Sequence, residues 1–316
     1  MSRIPFRESS SEPHRIPFRE SSSEPRRIPF REFTLLPLMD ATLLDENSYN
    51  GNAHLVDKAL VLGRDPKPIK ERLYKAKAVY IHAGSFNAWS DILIVLHRQR
   101  PLPLRVVLIS GTDCWLDNSH MEAVSAFFPN TQFFIRNWMG DLPNCTVMPI
   151  GTMGIYEGPP QEKKYMFGIS YVSNNGPMRQ EFYDYLASGP DILKYTIPKC
   201  GEQEFYGKLA KLRFSTCPMG CGFDTLRFWE CLVVGCIPIV KDDPFYDVLI
   251  RHYPGLPMIR VKKWEDLPAV VDGLTEELYE ELMAKADITC AWESYWLPKI
   301  ESLCKEEVGN GTHSII

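Results

Sequence analysis

The chain has 316 residues, with 35 Lys and Arg against 40 Asp and Glu and a net charge of −5. A binder that works by neutralising phosphates carries a basic excess, so this balance excludes a nucleic-acid partner of that kind. An apolar content of 45% with 24% charged residues is that of a globular protein rather than a disordered one. No apolar run reaches the roughly 18 residues of a transmembrane segment, and the N-terminus lacks the apolar stretch of a secretory signal. The nine cysteines are then expected as reduced thiols in the cytoplasm. The sequons Asn144-Cys145-Thr146 and Asn310-Gly311-Thr312 would matter only in a secreted protein. The length suggests two domains; it says nothing of oligomeric state.

In chain order, residues 1–33 are a repeat. Arg3-Ile4-Pro5-Phe6-Arg7-Glu8 recurs at 15–20 and 27–32, and the spacer Ser9-Ser10-Ser11-Glu12-Pro13 recurs at 21–25. So short a unit cannot bury a core of its own, and the segment is expected to be a disordered tail, with a docking role as the alternative. Deleting 1–32 is then expected to leave folding intact. Beyond it, apolar runs of strand length alternate with amphipathic stretches. Strands are predicted at 78–81, 105–109 and 132–135, and helices at 89–97 and 118–128. Gly158-Pro159-Pro160-Gln161-Glu162-Lys163-Lys164 reads as a linker. The alternation restarts with strands at 165–169, 192–197, 214–216 and 237–240. Helices are predicted at 177–187, 202–212, 224–234, 276–286 and 292–304. Continuous apolar strands separated by helices imply parallel sheets covered on both faces, in two α/β halves with a ligand cleft between them.

The stretch with the most chemistry runs from Cys217 through Gly220, Gly222, Asp224, Arg227 and Glu230 to Gly235 and Val240. A strand feeds a Gly-containing loop that opens a helix, an arrangement suited to a diphosphate at the helix N-terminus. Asp224 is placed as the helix cap, Arg227 as a fork for phosphate oxygens and Glu230 as an acceptor for two ribose hydroxyls. Leu226, Trp229 and Val233 are expected to face the core, and Gly235 to end the helix. The same residues fit a capped helix carrying a solvent-facing ion pair, and spacing alone does not separate the two. Cys217-x-x-x-Cys221 lacks the second ligand pair that a structural zinc site needs.

The run Phe223-Asp224-x-x-Arg227-x-Trp229-Glu230, with Gly235-Cys236-Ile237-Pro238-Ile239-Val240, resembles the nucleotide-sugar half of the exostosin-like glycosyltransferases (family 47). Residues 170–179, Ser110-Gly111-Thr112-Asp113, Phe134-Ile135-Arg136-Asn137 and Pro149-Ile150-Gly151 fit the same family more loosely, so the likeness spans roughly residues 70–300. The resemblance implies a GT-B architecture: two Rossmann-like domains, with the acceptor domain at 34–157 and the nucleotide-sugar domain at 158–290. Residues 291–316 would form a terminal helix that crosses back to the first domain. By motif match, Arg227 would neutralise the donor diphosphate and Glu230 would hold the ribose. Asp224 and Gly222 would lie by the sugar and phosphates, and Arg179 on the nucleotide side. The soluble chlorovirus members look most similar, which implies UDP-xylose as donor and a fucose of a capsid-protein N-glycan as acceptor.

The family implies inversion by a single displacement, which needs one base for the acceptor hydroxyl. Asp113, after the strand at 105–109, is the first candidate; a turn-forming loop Asp is the alternative. His82 is the second, against a structural hydrogen-bonding role, and Asp117 the third. Trp115 and Asn137 are candidates for acceptor contact, with core packing as the alternative for Trp115. No Asp-x-Asp occurs in the sequence, so no metal or other cofactor is expected, and Arg227 with the helix dipole would stabilise the leaving diphosphate. Two competing functions remain: a non-catalytic nucleotide- or glycan-binding module of the same fold, and a dinucleotide-dependent oxidoreductase. The latter predicts Gly-x-Gly-x-x-Gly after a leading strand, which the sequence lacks.

Overall fold

Strand-length apolar runs in this chain assemble into two all-parallel sheets. The computed structural model describes residues 28–44, 59–61, 66–111, 116, 118–154, 156–170 and 176–305. The first sheet is built from β1 (Ala41–Leu44), β2 (Ala59–Val61), β3 (Ala78–His82), β4 (Val106–Ser110), β5 (Gln132–Ile135) and β6 (Cys145–Val147), in the order β2-β1-β3-β4-β5-β6. One row of residues, Thr42, Tyr80, Leu108, Phe134 and Thr146, lies in register across five strands. Every residue of β3 and β4 is buried, because helices cover both faces of a parallel sheet and leave no solvated side to alternate toward. Helices α1 (Pro66–Leu73), α2 (Phe86–Gln99) and α3 (Asn118–Phe127) make the crossovers. The strand order reverses between β1 and β3, so the crevice beyond their carboxyl ends is where such a sheet receives a ligand, and His82 stands there.

The second sheet has β7 (Tyr165–Gly168), β8 (Leu212–Thr216), β9 (Ile237–Lys241) and β10 (Ile259–Val261), in the order β10-β9-β8-β7. One of its faces is covered by α4 (Pro177–Ala187), α8 (Leu267–Asp272) and α9 (Glu276–Ala284), through Phe182, Tyr185, Leu267, Val271 and Tyr279. Helices α5 (Glu202–Leu209), α6 (Leu226–Val233) and α7 (Pro244–His252) belong to the apolar cluster that also holds the first sheet. The core is therefore continuous from one sheet to the other. Helix α10 (Glu293–Lys305) joins it through Trp296, whose ring lies 5.7 Å from Phe134 of β5 and 6.4 Å from Tyr253.

Most predicted elements occupy their predicted places, and four expectations change. The segment 192–197 is not a strand: a 3-10 helix covers Asp191–Tyr195, and only Thr196 bridges to Ile169. The helix expected over 202–212 stops at Leu209, because Leu212 already belongs to β8. Trp229 is in the core and Val233 packs against it, as expected, but Leu226 does not join it; Phe228, Glu230, Cys231 and Leu232 are buried as well, so α6 is enclosed on more than one face. The segment 28–33 is no disordered tail. Phe30 is fully buried, its ring centroid 5.3 Å from that of Trp296, its N–H donates to the Ala291 carbonyl at 2.7 Å, and its carbonyl accepts from Thr152 N–H at 3.0 Å. A 3-10 helix then spans Glu32–Leu38, with Leu35 in the core. The remainder of the expected tail, 1–27, lies outside the described residues.

The segment read as a linker carries no regular structure, which is absent from 156 to 164. Within it, Lys163 Nζ donates to the Val234 carbonyl at the end of α6 at 2.9 Å, and the Lys163 carbonyl accepts from Arg213 Nη1 at 2.9 Å. Gly235, at φ +68°, closes that helix. Gly235 N–H bonds Leu232 O at 3.0 Å and Cys236 N–H bonds Cys231 O at 2.8 Å, the paired bonds of a Schellman motif. No helix among the described residues is long and apolar enough to cross a membrane.

The burial of Phe30 reverses the expected effect of truncation. Losing a buried Phe costs about 3–5 kcal/mol, so deleting residues 1–32 should lower the melting temperature by at least about 5 °C. Deleting only 1–26 should leave it within about 1 °C. Differential scanning calorimetry of both truncations checks this, and equal melting temperatures would refute the anchoring role.

Candidate functional site

The loop 217–225 after β8 is held by the first half of the chain. Asp224 is buried, 5% exposed. Its Oδ2 accepts from the Ile150 N–H at 2.7 Å and its Oδ1 from the Trp229 indole N–H at 2.7 Å. Its own N–H donates to Asn137 Oδ1 at 2.8 Å. Asn137 follows β5 at φ +52° and is fully buried; Asn tolerates this left-handed conformation better than most residues. Gly222 fits against it: a Cβ at that position would lie 2.5 Å from Asn137 Nδ2. Tyr253 OH donates to the Val147 carbonyl and Arg251 pairs with Asp141, which extends the contact between the halves.

One expected role is corrected by this geometry. Asp224 is not the helix cap: Thr225, at φ −132°, caps α6 by accepting the Phe228 N–H at 3.3 Å. The carboxylate of Asp224 takes one bond from the first half and one from its own helix. Gly222 makes room for the Asn137 side chain. Asn137, the candidate for acceptor contact, is fully buried in this joint between the halves.

Burial pushes the Asp224 carboxyl from an ordinary value of 3.8 up to about 6, against the opposing pull of the Ile150 N–H, the Trp229 indole and the Arg136 charge. An unpaired buried carboxylate would rise further. The donors therefore limit the rise that burial causes.

One turn into α6, the pair predicted from spacing is formed. Arg227 Nε donates to Glu230 Oε2 at 2.9 Å, with side-chain exposures of 16% and 6%. It is not the solvent-facing pair of the simpler reading. The guanidinium lies 4.0 Å over the Phe205 ring, and Tyr206 OH donates to Glu230 Oε1 at 2.8 Å. The same hydroxyl accepts the Gly154 N–H at 3.2 Å. Burial, and then the charge of Glu230, drive the Tyr206 phenol pKa upward, so it stays a donor to the carboxylate. Arg227 Nη1 is buried and has no hydrogen-bond partner among the described residues. Phe205 and Tyr206 carry no motif signal; their adjacency in a predicted amphipathic helix was the only hint.

Arg179, on α4, is buried and donates from Nε to the Met219 carbonyl at 3.3 Å. It touches the loop that leads to α6, on the far side of which Arg227 begins. Gly176, just before α4, lies against the same loop: a Cβ there would meet Cys221 N and Gly220 O at 2.9 Å.

His82 at the end of β3 hydrogen-bonds through Nε2 to the Gly111 carbonyl at 3.1 Å. A carbonyl only accepts, so Nε2 carries the proton. Gly111, at φ +98°, is required there, since a Cβ would lie 2.3 Å from the imidazole. Asp113, Trp115 and Asp117 lie outside the described residues. Among the described residues, no group of three or more His, Cys, Asp or Glu is arranged to hold a metal ion. Cys217 and Cys221 do not pair: Cys217 Sγ faces Cys231 Sγ at 3.4 Å in the core, and Cys221 is exposed.

A scan against protein-family models gives no match to this chain, and a search of curated proteins finds no similar sequence.

The pKa of Asp224 makes stability pH-dependent. The folded form holds this proton more tightly than the unfolded form. Its contribution, about 3 kcal/mol, is therefore fully present below about pH 4 and is lost as pH rises through about 6. Asp224→Asn removes that slope but turns an amide N–H₂ toward one of the donors. Thermal unfolding of both proteins should show the variant well below wild type at about pH 4 and much closer at about pH 7. A gap that does not change with pH would exclude Asp224 as the source.

Proposed function

We propose that the chain is a glycosyltransferase of GT-B architecture that moves a sugar from a nucleotide sugar to a glycan acceptor, with inversion and without a metal. The reading is carried by the Arg227–Glu230 pair at the start of α6, whose buried Nη1 has no partner among the described residues. A guanidinium held on one edge by a carboxylate and on its face by an aromatic ring presents its remaining edge in a fixed direction, which suits a diphosphate oxygen. Each Glu230 oxygen accepts one bond and retains a second lone pair, enough for ribose hydroxyls. Arg179 supports the loop on the nucleotide side. Asp224, Gly222 and Asn137 act through the joint that aims α6.

In the proposed step the acceptor hydroxyl oxygen attacks the anomeric carbon from the face opposite the leaving group. The bond from that carbon to the diphosphate oxygen breaks and its electron pair leaves with the nucleoside diphosphate. The hydroxyl proton passes to Asp113, with His82 as the alternative base. Arg227 stabilises the charge that grows on the leaving group. By resemblance alone, UDP-xylose is the first donor to try and a fucose of an N-glycan the first acceptor.

The test is release of nucleoside diphosphate from a panel of nucleotide sugars in chelator, with and without sugar acceptors. Acceptor-stimulated release from one donor is expected. Arg227→Ala should reduce it about 100-fold or more, and Asp113→Asn about 100- to 10,000-fold. Tyr206→Phe should weaken donor affinity by about tenfold through loss of one charge-assisted bond. Binding of nucleoside diphosphate without release from any donor would replace the enzyme with a binding module.

A further inference from the structure

Arg-Ile-Pro-Phe-Arg-Glu stands three times in the chain, at 3–8, 15–20 and 27–32, and the described part of the third copy, from Ile28 on, lies in a built groove. One wall is Gly151 and Thr152; the other is 291–293 at the entry to α10. Ile28 O accepts the Glu293 N–H at 3.0 Å, Phe30 N–H donates to Ala291 O at 2.7 Å, and Phe30 O accepts the Thr152 N–H at 3.0 Å. Pro29 and Arg31 bridge to Trp292 and Gly151 in antiparallel fashion. The floor is Trp296, against the fully buried Phe30 ring. Gly151, at φ +76°, is shaped for this occupant: a Cβ there would lie 2.2 Å from Phe30 O.

All of these contacts fall inside the hexapeptide. The groove reads main-chain groups, a proline that needs no donor partner and one phenylalanine ring. Nothing in that set distinguishes the third copy from the first two. We propose that the groove is a recognition site for the hexapeptide, and that the upstream copy at 15–20 docks in it in cis when the third copy is displaced. The exchange moves the register by twelve residues and loops out 21–32. Closure cost grows only with the logarithm of loop length, and the spacer Ser21-Ser22-Ser23-Glu24-Pro25 has the composition of a loop. The third copy prevails in the intact chain because it needs no such loop. Tethering keeps the reserve copy at high effective concentration. The site it serves adjoins Ile150, whose N–H holds Asp224, so the joint between the halves keeps its brace in either register.

The experiment is thermal unfolding of the full chain in four forms: wild type, Phe30→Ala, Phe6→Ala with Phe18→Ala, and the triple variant. The double variant should match wild type. Phe30→Ala should lose less than about half of what the triple variant loses, since Phe18 then takes the pocket. If the triple variant does not fold while Phe30→Ala does, the same rescue is demonstrated. Equal losses in Phe30→Ala and the triple variant, failure of both to fold, or no loss in either would overturn the proposal. The melting temperature of Phe30→Ala should also not depend on protein concentration. A rise with concentration would assign the reserve copy to a second molecule and overturn the cis exchange.

Discussion

The arrangement turns on one buried carboxylate. Asp224 takes a main-chain N–H from the first half at Ile150 and an indole N–H from its own helix at Trp229. Removing a carboxylate from water is costly, and only donors in good geometry offset it. Each donor is fixed by something further out. Ile150 precedes Gly151, whose left-handed turn closes on the strap at Phe30. Trp229 is fully buried on α6. Asn137 holds the main chain of Asp224 itself. With Asp224 committed, Thr225 becomes the cap, and this sets where α6 begins and which way Arg227 and Glu230 project.

Much of the fold was legible because fully buried parallel strands leave unbroken apolar runs. The runs at 78–81, 105–109, 132–135, 165–169 and 237–240 needed no partner to be recognised. The stretch 192–197 has a similar composition, but Pro190 and Asp191 start a tight helical turn. Only Ile192 and Ile197 of its apolar residues are buried, while Leu193 is exposed. The α6 motif was legible in type and misplaced in detail. Asp224 and Thr225 are both good caps, and the choice between them is made by an amide 74 positions away in sequence. A similar separation in sequence hid the contact of Gly222 with Asn137. The repeat is the limiting case: three identical copies carry identical local signals. Only the segment after the third copy, with Leu35 and Met39 buried in the core, tells where the chain enters the fold.

The Arg227–Glu230 pair has an energetic logic that bears on ligand recognition. A buried guanidinium without a counter-charge would destabilise the fold, and Glu230 with the Phe205 ring provides its compensation. The compensation is incomplete, because Nη1 has no partner among the described residues. An unsatisfied buried donor costs about 1–3 kcal/mol, and an anion that reaches it regains this free energy on binding. The pair is neutral overall, so under the proposed donor role a diphosphate would meet directed N–H groups rather than a strong field. That favours orientation over long-range attraction, in keeping with the absence of a basic excess in the chain. Tyr206 completes the logic: bonded to Gly154 and to Glu230, it ties the carboxylate to the segment that leads into the linker. Gly154 is thus connected to Glu230 through Tyr206, and to Arg227 through Glu230.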